Sequence, residues 1–214
     1  MSDGQVQGNP AVVGLAGFGL TTLLLQFHNL GLCGSGVVFC CALFVGGGAQ
    51  FLAGLQEFKT GNKFGHSAFT MYGAFWLAMG VIFLVLNLQS LPNSPIGGAL
   101  KIAPSDIGFF MLCFAIYTAI MLVGSLAIHK AMTLIFLTLT LGFVGLSLVF
   151  IAGMKSVLQI TAIDLIACAF FAFYTMAHDI FLQVYGRDIL PVGTPFVGKP
   201  ATKPAGLVSK SVSV

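Results

Sequence analysis

Six apolar runs, each near or above the ~20 residues a helix needs to cross the hydrocarbon of a bilayer, divide this chain. They cover roughly residues 11–30, 37–55, 68–88, 107–128, 132–153 and 158–184. Only 7% of the residues are charged and 57% are hydrophobic, too few polar side chains to clothe a water-soluble shell. In lipid, backbone N–H and C=O groups must be satisfied within the protein, and continuous apolar runs of this length do so as helices. The fold class is therefore an all-α integral membrane protein with six transmembrane helices. The opening MSDGQVQGNP carries an acid and no basic residue, so the first run reads as a retained span rather than a cleaved signal.

Residues 1–9 form a short leading segment and 10–186 a single six-helix domain. Residues 187–214 are rich in Pro, Gly and Lys without apolar periodicity, which predicts a disordered or loosely attached tail. Links at 31–36, 129–130 and 154–156 are tight and make neighbouring helices antiparallel. The link 87–106, with Pro92, Pro95, Gly97, Gly98 and Pro104, reads as an irregular loop. The polar stretch with Glu57, Lys59, Lys63 and His66 is expected to be a basic turn in water.

An even number of spans puts both termini on one face. Lys59, Lys63, Lys130, Arg187, Lys199, Lys203 and Lys210 lie on that face, and only Lys101 and Lys155 lie opposite. The excess of basic residues places both termini in the cytoplasm of a multi-pass cell-membrane protein. The net charge of +3 thus reports topology and gives no reason to expect nucleic acid. Five cysteines and four histidines show no metal-ligand or redox spacing, and no catalytic motif is present. The sequence points to no metal, no cofactor and no enzyme.

Polar groups inside the spans are the remaining signal. Thr21, Thr22, Gln50, Thr70 and Tyr72 can donate hydrogen bonds without fixed charge. Asp179, beside His178 in the last span, is expensive in lipid unless solvated or paired, and Arg187 lies two turns away as a possible partner. Asp164 is expected to complement the dipole at the start of the last helix. Gly14, Gly17 and Gly19, and Gly46–Gly48 with Ala53 and Gly54, are small-residue stripes for close helix approach, within a bundle or between subunits.

The string Asn9-Pro10-Ala11-Val12-Val13-Gly14-Leu15 resembles the N-P-A-x-x-G-L signature of the acetate uptake transporters, the family of bacterial acetate–succinate permeases and fungal acetate permeases. His28-Asn29, GGGAQFLAGLQEFKTGNKFGHSAFTMYGAFW at 46–76 and YGRDILPVG at 185–193 resemble the same family. The resemblance implies a homohexamer whose protomers each carry acetate, and in some members succinate, as proton symporters or anion channels. It also implies an apolar constriction formed by Phe18, Tyr72 and Leu139. Asn9, Thr21, Thr22, Gln50 and Thr70 are then the candidate substrate-binding residues, and Asp179, His178 and Glu57 candidate proton or mouth residues. Neutral donors beside an apolar neck suit an anion that must be released as well as bound. A passive channel and a non-transporting sensor or scaffold remain alternatives at this stage.

Overall fold

The structure is a computed structural model and describes residues 8–92, 94–95 and 99–198. Six helices are long and apolar enough to span a membrane: α1 (Pro10–Asn29), α2 (Ser35–Thr60), α3 (Lys63–Gln89), α4 (Pro104–Ser125), α5 (Lys130–Ile151) and α6 (Leu158–Tyr185). Their ends follow local chemistry. Asn9 caps α1, its Oδ1 accepting from the Ala11 N–H at 3.0 Å, and Pro10 begins the helix. Asn62 caps α3 through the Gly65 N–H, also at 3.0 Å. Gly61 (φ 79°) ends α2 in the left-handed conformation that a side chain would resist.

The helices close into a ring in which α1 packs on α2 and α6, α5 on α4 and α6, and α2 on α3. Side chains bridge the remaining seam between α3 and α4: Tyr72 to Thr118, Ser67 to Tyr117, and Phe75 against Phe114. Since α1, α3 and α5 all run away from the face carrying both ends of the described chain, equal steps along them reach equal depth.

Two expectations need correction. The polar stretch after residue 55 is not an extended aqueous turn. Helix α2 continues to Thr60 and α3 resumes at Lys63, so only Gly61 and Asn62 link them. Lys59 and Lys63 face outward, but Glu57 is 2% exposed because this amphipathic end of α2 packs inward. Within α2, Ala42–Ala49 winds as a π-helix, an irregularity that helical hydropathy does not reveal. The wide turn brings Gly46 against Thr21 and Trp76.

The beginning of the tail is not loose. Phe196 and Val197 donate their N–H groups to the Leu126 carbonyl at 2.9 and 3.0 Å, and Ala131 N–H donates to Val192 O at 3.0 Å. Tyr174 reaches the Pro191 carbonyl, and Lys130 lies over the Phe196 ring. Residues 187–198 thus form a strap across the α4–α5 turn, held mainly through backbone groups. Residues 199–214 lie outside the described residues.

The same turn contains a pH-sensitive cap. His129 Nδ1 accepts the Met132 N–H at 3.0 Å, which requires that nitrogen to be unprotonated. Burial, and then the neighbouring His178, hold the His129 imidazole below its usual pKa. On acidification the unfolded chain therefore takes up the proton first. The stabilisation is complete above the ordinary histidine pKa of about 6.5 and declines as pH falls from there towards the folded value. The expected result is a lower melting temperature at pH ~5.5 than at pH ~7.5, with a smaller difference in His129→Asn, which keeps a cap that does not titrate there. An equal pH difference in the two proteins would assign the effect elsewhere.

Candidate functional site

Three cavities follow one another through the centre of the ring. The first, of about 110 Å³, opens towards the terminus face and is lined by Ala11, Asn62, Gly65, Met132 and, deeper, Gln50. The second is small, about 20 Å³, and is lined by Thr22, Gln26, Trp76 and Phe143 among others. The third, about 210 Å³, lies towards the opposite face beside His28, Asn29, Met79 and Phe150. Phe18, Tyr72 and Leu139 line both the first cavity and the second.

All three are at most 5% exposed, and they come from α1, α3 and α5. Tyr72 is the hub of an aromatic cluster. Its ring centroid lies 6.0 Å from Phe18, 5.6 Å from Tyr117, 6.1 Å from Phe136 and 6.5 Å from Phe143. Its hydroxyl is already used. Thr118 donates its proton to the Phe114 carbonyl at 2.6 Å, so Tyr72 donates to Thr118 Oγ1 at 2.8 Å. The tyrosine therefore presents its ring, and its O–H is committed to α4.

A polar group flanks this apolar level on either side. Gln50 is 1% exposed and lines the first cavity, with its Oε1 unpartnered. Thr22 is 3% exposed and lines the second, with its hydroxyl unpartnered. Buried polar groups normally find partners, and these two, an acceptor oxygen on Gln50 and a hydroxyl on Thr22, instead face adjoining cavities.

Comparison with known proteins places this arrangement. Residues 3–185 match the model of the GPR1/FUN34/yaaH family. The chain belongs to that family. It is 35% identical over 188 residues to the succinate-acetate/proton symporter SatP of Escherichia coli, covering 86% of this chain and 95% of the relative. Acetate permease A of Emericella nidulans is 35% identical over 148 residues, 67% of this chain and 49% of that longer protein. A solved structure described as the bacterial acetate channel SatP aligns with a TM-score of 0.78 at 34% identity, over 87% of this chain and 99% of that one.

In this GPR1/FUN34/yaaH family member Thr21, Thr70 and Asn9 lie away from the cavity line. Thr21, next to Thr22, is turned by one helical step towards α2, where its Oγ1 lies 3.2 Å from Cys41 Sγ. Thr70 packs against α2 at Gly54, and its Oγ1 lies 3.4 Å from His66 Nδ1. Asn9 is occupied as a helix cap and borders a groove on the outside of α1 and α2.

His178 and Asp179 diverge. His178 Nδ1 donates to the Leu190 carbonyl at 2.7 Å and lies 3.2 Å from Asp188 Oδ1, a contact that is ionic only when the imidazole is protonated. The sequence-predicted partnership of Asp179 with Arg187 is not formed. Asp179 instead lies near Asn9 and Glu57. The Thr60 hydroxyl is 3.3 Å from Glu57 Oε2, and Asn62 and the Ala11 N–H are also close. Two carboxylates thus sit at the start of α1, beside the mouth of the first cavity. Asp164 is in the second turn of α6, with Oδ2 buried and unpartnered, too deep to complement the helix terminus as expected.

Gln26 and Thr118 are polar residues inside spans that sequence reading did not carry into the candidate site, and Trp76 it missed. Gln26 is fully buried, bonded to the Thr22 carbonyl and to Asn29. Trp76 lines the second cavity with its indole N–H unpartnered. As the single tryptophan, four residues beyond Tyr72 on the same helix face, it too had a sequence signal.

Proposed function

We propose that the protein moves acetate, and other small carboxylates such as succinate, across the cell membrane through the line of cavities in each protomer. The observation that carries the reading is the level of Phe18, Tyr72 and Leu139 between two cavities, each with a neutral, unpartnered polar group. Thr22 can donate from its unpartnered hydroxyl and Gln50 from its amide Nε2, its unpartnered Oε1 being an acceptor that does not itself hold a carboxylate, while the apolar level contacts the acetate methyl. Hydrated inorganic ions would lose their water in this neck without replacement, a cost acetate meets in part with its own apolar half. Absence of a lysine or arginine from these cavity walls favours release.

The relatives named as succinate-acetate/proton symporter and acetate permease support this substrate class. The same reading takes the assembly as a homohexamer in lipid, with both termini cytoplasmic because seven of the nine basic residues lie on their face. Proton coupling is the favoured mode, with Glu57 and Asp179 at the cytoplasmic mouth as the groups to exchange the proton. Passive conduction is the second reading, favoured by the structural neighbour described as an acetate channel.

Labelled acetate uptake into proteoliposomes, with internal pH recorded, tests both. Symport predicts uptake accelerated by an imposed pH gradient and a protein-dependent proton movement. A channel predicts flux that follows the acetate gradient and voltage alone. Leu139→Ala is expected to raise lactate uptake relative to acetate in the same assay. An unchanged ratio would remove Leu139 from the selective neck.

A further inference from the structure

The neck has a counterpart deeper in the protomer. Leu25 and Leu146 line both the small second cavity and the third, as Phe18, Tyr72 and Leu139 line both the first and the second. The relation is repeated in the sequence of the helices. Leu25 is seven residues beyond Phe18 on α1, Met79 seven beyond Tyr72 on α3, and Leu146 seven beyond Leu139 on α5. Positions i and i+7 share a helix face, and seven residues advance roughly 10 Å along the axis. Because these three helices run in the same direction, the three steps arrive at one common depth, where Leu25, Met79 and Leu146 border the third cavity.

Between the two levels, at i+4 on the same helices, stand Thr22, Trp76 and Phe143, all lining the small cavity. Thr22 and Trp76 bring the hydroxyl and the indole N–H that have no partner. We propose that Leu25, Met79 and Leu146 form a second apolar neck, and that the chamber between the necks is a site for a single small monocarboxylate, held through Thr22 and Trp76. The chamber, about 20 Å³, holds little more than a water molecule, so a carboxylate is seated there only when the surrounding side chains move. A carboxylate enters by displacing side chains at one neck and leaves by displacing those at the other. Size selection is then imposed twice.

This inference rests on the transport reading above, and barriers in series give it a distinctive signature. Resistances add, so with two similar necks, opening one raises the flux of a larger acid by no more than about twofold, whereas opening both releases it. Lactate uptake into proteoliposomes should therefore rise about twofold in Leu139→Ala and in Leu146→Ala, and about tenfold or more in the double variant. Leu25→Ala enters the same level from α1 and replaces Leu146→Ala if the latter is not recovered as monodisperse protein. Thr22→Val, of similar shape without the hydroxyl, should lower acetate flux and leave the lactate-to-acetate ratio of the neck variants unaffected. A double variant no different from Leu139→Ala, with Leu146→Ala and Leu25→Ala both like the unaltered protein, would overturn the second neck. Absence of acetate uptake by the unaltered protein would overturn the transport reading itself, a separate result.

Discussion

Gly73→Val is expected to yield almost no folded protein, and Gly73→Ala little more. A Cβ at this position would lie 2.7 Å from both the Cα and the N of Phe51, backbone atoms that cannot swing aside as a side chain end can. Helices α2 and α3 would have to separate, and Tyr72 would move with them. Ordinary overpacking of a core costs about 1–3 kcal/mol. Parting two backbones also forfeits the contacts around them, so the loss exceeds that range. Gly36, in α2 with open space around its Cβ position, is the internal control. Gly36→Ala should be neutral or gain up to about 1 kcal/mol from helix propensity. The measurement is the monodisperse fraction and melting temperature of each variant in detergent. Equal behaviour of Gly73→Ala and Gly36→Ala would show that the α2–α3 contact has room to relax.

The small-residue stripes illustrate what was legible beforehand. That glycines would bring helices together followed from their spacing, but the choice between packing inside a protomer and between subunits did not. The answer lies in three dimensions: a Cβ on Gly17 would come within 2.7 Å of the Val45 carbonyl oxygen, one on Gly14 would strike Phe69 and one on Gly46 Thr21, all within one chain. The six spans were legible for a stronger reason, because lipid leaves helix as the outlet for long apolar runs. Their polar ends were not. Glu57 looks like a loop residue by composition, yet it is buried because α1, Thr60 and Asn62 surround it.

The same limit divides the candidate site. Phe18 and Tyr72 could be picked out from strong local matches to the family and Leu139 from a weaker match in the fifth span, and the three meet at one level. Thr21 and Thr22 are chemically identical neighbours, about 100° apart around the helix. Only the packing register turns Thr22 to the cavity and Thr21 to Cys41. The strap was invisible for another reason. Its partners are carbonyls such as that of Leu126, and every residue has one.

Tyr72 allows ring and hydroxyl to be separated, and the two substitutions should differ sharply. In Tyr72→Phe the ring remains among Phe18, Phe136 and Phe143, and only the hydrogen bond to Thr118 is lost. Thr118 still donates to the Phe114 carbonyl, so no donor is orphaned, and the cost is about 1 kcal/mol. Acetate flux and the lactate-to-acetate ratio should stay close to those of the unaltered protein. Tyr72→Ala instead removes the hub of the cluster, a change that costs about 3–5 kcal/mol in a packed core. It also joins the first cavity to the second, since Tyr72 lines both. Discrimination against lactate should then fall to whatever the level of Leu25 and Leu146 supplies. If the hydroxyl were the substrate's ligand, Tyr72→Phe would lose acetate flux as severely as Tyr72→Ala, an outcome that would require the Tyr72–Thr118 bond to open in the working protein. Retention of acetate flux in Tyr72→Phe together with raised lactate uptake in Tyr72→Ala would assign the tyrosine's contribution to its ring, with Gln50 and Thr22 left to hold the carboxylate.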